Sequence, residues 1–62
     1  MKLVISYGTE GEHTETVRNL NHGLDRAEKL AEAGNMQSRY TEQTGVITIY
    51  RDRNPTFYGY IS

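Results

Sequence analysis

The chain has 62 residues, a net charge of −1 and no cysteine. A chain this short buries only about 60% of the surface its unfolded form exposes, so its stability margin is thin, and disulfides and thiolate metal sites are excluded as supplements. The near-neutral charge disfavours a nucleic-acid binder held by bulk electrostatics, and no apolar run reaches membrane length.

The opening Leu3-Val4-Ile5-Ser6-Tyr7 is β-branched and aromatic and stops at Gly8, which predicts a strand with Leu3, Ile5 and Tyr7 on one face. Met1-Lys2-Leu3 reads as a native start with no signal peptide. Gly8-Thr9-Glu10-Gly11 is turn chemistry.

The next segment admits two readings. Val17, Leu20, Leu24, Ala27 and Ala31 fall at helical spacing, which would suit one long amphipathic helix. Thr14, Thr16, Asn19, Asn21, His22 and Gly23 are middling to poor helix formers, and threonine and valine after a glycine-bounded turn suit an edge strand hairpinned to the first. The hairpin is the preferred reading. Leu24 to Ala33 is then the helix, rich in alanine, leucine, glutamate and lysine, capped by Asn21 or Asp25 and ended by Gly34-Asn35.

Met36 to Glu42 is predicted as a third strand, turning at Gln43-Thr44-Gly45 into Val46-Ile47-Thr48-Ile49-Tyr50-Arg51. Asp52-Arg53-Asn54-Pro55 is a further turn, with Pro55 bounding the last strand, Thr56 to Ile61. The expected fold is a single α+β domain over residues 1–62, a small mostly antiparallel sheet ordered ββαβββ (βαβββ if the helix is long) with one helix packed on one face. The other face is left bare.

Little here carries catalytic or metal chemistry. His13 and His22 are predicted to be exposed loop histidines, because a metal site wants three or four ligands at short spacing. The serines sit in no nucleophile motif. Glu10, Glu12 and Glu15 read as a charged turn and edge strand that discourages edge-to-edge pairing. Glu28 and Glu32 read as a solvent-facing pair on the helix. A chain this small has few residues left to wall a pocket of about 300 Å³. No enzyme, cofactor or metal is expected.

The last two strands are different. Ile47, Ile49, Phe57 and Ile61 are predicted to face the helix, while Val46, Tyr50, Tyr58 and Tyr60 face away. Arg39, Arg51 and Arg53 stand near them, and Tyr40 joins them if the strand register allows. Tyrosine often covers half-exposed sheet simply as a good strand former. Tyrosine with arginine is also what protein-interface hot spots favour. The candidate partner-binding residues are therefore Tyr50, Tyr58, Tyr60, Arg51, Arg53, Arg39 and Tyr40. The expected partner is another protein. Single-stranded nucleic acid stacked on the same face is the disfavoured alternative, and a homodimer or larger homo-oligomer paired through that face is the structural one. The cysteine-free composition fits the cytoplasm.

The helix Ala27-Glu28-Lys29-Leu30-Ala31-Glu32-Ala33-Gly34, with the trailing strands Val46-Ile47-Thr48-Ile49-Tyr50-Arg51-Asp52 and Phe57-Tyr58-Gly59-Tyr60, resembles small bacteriophage-encoded accessory proteins. Phage inhibitors of host RNA polymerase and some anti-CRISPR proteins share this hairpin, helix and strand plan. The resemblance is one of architecture and includes no diagnostic motif. It implies a non-enzymatic inhibitor that binds a host machine in the host cytoplasm, and it assigns no site residue.

Overall fold

A computed structural model describes residues 1–62. The alternation of apolar residues along the strands builds a five-stranded sheet in which every pair is antiparallel, ordered β2-β1-β5-β4-β3. In chain order the elements are β1 (Lys2–Ser6), β2 (Glu12–Thr16), α1 (Leu20–Ala33), β3 (Gln37–Thr41), β4 (Val46–Arg51) and β5 (Asn54–Ile61). This is the expected ββαβββ order. The N- and C-terminal strands pair at the centre of the sheet, and Lys2 and Ser62 close the ladder by exchanging backbone hydrogen bonds at 2.7 and 2.9 Å.

Of the ambiguous segment Glu12 to Leu20, the fold makes Glu12–Thr16 the hairpin strand, with Val4 opposite Thr14 and Ile5 opposite His13, and gives Leu20 to the helix. Val17 is not a helical residue. It is buried in the connection between β2 and α1, where it joins the core.

The helix starts four residues before the expected Leu24, at Leu20, with Asn19 as its N-cap instead of Asn21 or Asp25. The Asn19 side chain accepts from the His22 N–H at 2.8 Å, and the His22 ring Nδ1 accepts from the Arg18 N–H at 3.0 Å. Two donors that the helix itself cannot satisfy are thereby met. Gly23 lies inside the helix, where glycine costs about 1 kcal/mol relative to alanine. A Cβ there would stand 2.5 Å from Ile61 Cδ1 and 3.2 Å from Val17 Cγ2, so the missing side chain lets the helix lie close to β5. At the other end Asn35 takes the left-handed conformation (φ 58°). Its N–H reaches Glu32 O and the Met36 N–H reaches Ala31 O, which is the Schellman pattern.

The core lies between α1 and one face of the sheet. Leu3, Ile5, Ile47 and Ile49 are its largest fully buried side chains, with Val17, Ala27, Ala31 and Met36 completing it. Leu24, Leu30, Phe57 and Ile61 pack at its margin, and Tyr7 meets the Phe57 ring edge-on at 4.9 Å. Gly59 lies between Ile5 and Ile47 in the ladder, and a Cβ there would come within 2.6 Å of the Val4 carbonyl oxygen.

Pro55 does not bound β5, which begins at Asn54. It sits opposite Tyr50, beside a register shift between Ile49 and Tyr50. A missing amide proton is tolerated at such an irregularity. The β4–β5 turn is the two-residue Asp52-Arg53, both at positive φ (53° and 68°), the backbone that matches strand twist in a tight hairpin.

Candidate functional site

The register fixes which side chains share the face away from the helix. Antiparallel partners opposite one another point to the same side. One row across the bare face therefore reads Thr14, Val4, Tyr60, Val46, Thr41, and the next reads Glu12, Ser6, Tyr58, Thr48, Arg39. Tyr50 and its partner Gln37 extend the face toward the β4–β5 turn. Val46, Tyr50, Tyr58 and Tyr60 thus stand together, as expected.

Tyr58 and Tyr60 project from β5, the middle strand of the sheet, and remain 53% and 51% exposed. Their hydroxyls make no intramolecular hydrogen bond of side-chain type. Val4 is buried on this side, at 9% exposure, with Thr14 and Tyr60 as its direct neighbours. Part of the Tyr60 ring's work is accordingly local cover for Val4.

Arg39 and Arg53 gather at one corner. With Gln37, Ser38 and Tyr50 they line an open concavity of about 450 Å³. A smaller hollow of about 260 Å³ continues past Tyr50 to Asn35 and Asp52. Neither Arg39 nor Arg53 forms an ion pair, whereas Arg26 is held by Glu15. Hollows of this size were not expected of so short a chain. They are open surface depressions, each with one hydrophobic residue among five lining residues.

Two candidate residues do not belong to this face. Tyr40 is paired with Ile47 and packs against the core, so it points toward the helix side. Arg51 follows Tyr50 in the alternation and also points to the helix side, where its Nη2 lies 3.7 Å from Met36 Sδ. The β3–β4 register, which places Tyr40, is not written in that residue, whereas alternation along β4 alone places Arg51.

The sequence reading also missed a polar cluster on the helix side. Glu15 accepts from Arg26 Nε at 2.9 Å and Arg26 Nη2 at 3.1 Å, and from His13 Nε2 at 2.9 Å. The Arg26 fork, then His13, hold the Glu15 carboxyl down at about 2, from an ordinary 4.5. The hydrogen bonds to Glu15 raise Arg26 in turn. Glu15 is therefore not simply an edge charge, since it ties β2 to α1. Nor is either histidine in a loop, because His13 lies in β2 and His22 in the first turn of α1. The spacing of His13 and Glu15, two apart on one strand, is the signal that could have found the cluster. No group of three or more His, Cys, Asp or Glu side chains is placed to hold a metal ion, and no helix is long and apolar enough to cross a membrane.

No protein-family model matches this sequence, and no curated protein or solved structure matches it either.

Proposed function

We propose that this protein is a non-enzymatic binding module that docks another protein on the bare face of its sheet. Tyr58 and Tyr60 are the anchors, Tyr50 extends the apolar area, and Arg39 and Arg53 supply charge at its corner. The observation that carries this reading is the pair of half-exposed tyrosines on the central strand. A solvent face ordinarily alternates polar residues outward, and aromatic side chains with arginine are enriched where protein surfaces bind. Occupying a surface of a larger machine, as an inhibitor does, is a role such a face suits.

The test compares wild type with Tyr58→Ala/Tyr60→Ala in capture of proteins from a lysate of the native source. Loss of a wild-type-specific partner, with circular dichroism unchanged, supports the reading. Equal capture by the folded double variant overturns it.

Arg39, Arg53 and Lys2 lie on or beside the tyrosine face, which favours a second reading, stacking of single-stranded nucleic acid. Glu12 on the same face and the net charge of −1 oppose it. Absence of binding to single-stranded DNA and RNA at low salt eliminates it.

A further inference from the structure

The sheet has two free edges, β2 and β3, and they are built differently. Alternate residues of an edge strand direct their N–H and C=O groups outward with no strand to receive them. On β2 the edge is guarded by charge: Glu12 stands on the bare side, and Glu15 with His13 and Arg26 fills the helix side. On β3 the residues are Gln37, Ser38, Arg39, Tyr40 and Thr41, with no carboxylate among them.

Hollows flank β3 on both sides. On the bare side is the concavity of about 450 Å³ bounded by Arg39, Arg53 and Tyr50. On the helix side is one of about 300 Å³ bounded by Glu28, Glu32 and Met36. Gln37 and Ser38 line both. The two depressions are opposite in charge, and none of Arg39, Arg53, Glu28 or Glu32 is in an ion pair.

We infer that the β3 edge is a strand-addition site for an extended segment of a partner protein, one that places an acidic residue between Arg39 and Arg53 and a basic neighbour toward Glu28 and Glu32. Main-chain hydrogen bonds to the outward groups of β3 would hold the segment, and the two hollows would read its alternate side chains. Adjacent residues of a strand point to opposite faces, so the pattern recognised is an acidic residue next to a basic one. This rests on the protein-binding reading above and adds to it the chemistry of the bound segment.

A second copy of the chain fits poorly in the antiparallel pairing that the rest of the sheet uses. Antiparallel pairing of β3 with itself brings Arg39 of both copies to one shared edge, and the strand supplies no carboxylate. Antiparallel pairing of β3 with the β2 of another copy turns that copy's Glu12 to the side occupied by Glu28 and Glu32, where like charges oppose pairing, while its Glu15 is already held by Arg26.

The probe is the capped heptapeptide Thr-Val-Lys-Glu-Lys-Val-Thr and two relatives with Gln or Lys at the centre. Each is titrated into the full chain while backbone amide shifts are followed. The expected result is perturbation confined to Gln37–Thr41 and its surroundings, with the Glu peptide binding about threefold tighter than Gln and about tenfold tighter than Lys. In Arg39→Glu/Arg53→Glu, whose sites are exposed and whose fold is checked by thermal melting, the order reverses. Shifts at β2, no shifts at millimolar peptide, or an unchanged order in the charge-reversed variant overturn the inference. Capture that depends on Tyr58 and Tyr60 without peptide binding sinks the edge site alone. Capture indifferent to those tyrosines sinks the face alone.

Discussion

On the helix side of the sheet Leu3, Ile5, Ile47 and Ile49 keep at most 1% of their surface, while Tyr58 and Tyr60, on the other side of the central strand, keep about half of theirs. The same alternation produces both faces. What separates them is that one has a helix laid over it, with Gly23 and the alanines Ala27 and Ala31 letting it approach, and the other has no element laid over it. The lesson is that a chain of this size can close one side of a five-stranded sheet. The large side chains it keeps on the second side then need another reason to be there.

Stability measurements should break along that division. Ile49→Ala removes a fully buried side chain from the covered face and is expected to cost about 3 kcal/mol in urea unfolding, a large fraction of the stability of so small a domain. If it costs less than about 1 kcal/mol, the helix does not close that face as described. Gly59→Val is expected to be comparably damaging, because the atom its Cβ meets is backbone. Gly23→Ala is milder, since Ile61 can shift and the helix gains about 1 kcal/mol of propensity. Thermal unfolding within a few degrees of wild type is the expected outcome.

The Glu15 cluster sharpens the contrast by pH. The Glu15 carboxyl is lowered to about 2 in the fold from an ordinary 4.5, so its contribution is present in full above 4.5. It is lost as the pH falls through 2, because the unfolded chain takes up the proton first. Glu15→Gln should therefore be less stable than wild type at pH 7 and close to it near pH 2. A deficit that stays constant over that range would mean that Glu15 is not lowered in the fold.

Much of this molecule was legible in its sequence. Propensity and turn chemistry are local, and they sufficed for the presence of the five strands, the hairpin after Gly11 and the end of the helix at Gly34-Asn35, though not for the start of β5 at Asn54. The helix start was not legible because the residues there contradict propensity. Gly23 is a poor former kept for a contact with Ile61, some forty positions away in sequence, and Asn19 is a cap only once His22 is helical. At the candidate site the tyrosines of β5 and Tyr50 were readable from period two alone. Tyr40 was misplaced because its face depends on which residues of β3 and β4 pair, a non-local fact, whereas the face of Arg51 was readable from its place next to Tyr50 on β4. Arg39 and Arg53 are brought to one hollow by that register and by a two-residue turn at positive φ; a turn was readable at Asp52-Arg53, but not its type, because Arg53 stands where glycine is usual.

Modest in stability and largest in consequence is the double variant Tyr58→Ala/Tyr60→Ala. Cross-strand aromatic pairs contribute roughly 0.2–1 kcal/mol each, and Tyr60 also covers Val4, so a total cost of about 1–2 kcal/mol is expected. Measured side by side on one preparation, urea unfolding should show a folded protein with that modest loss, and partner capture should be abolished. A variant that is unfolded, or one that is folded and still captures the partner, would contradict the claim that this face is kept for binding.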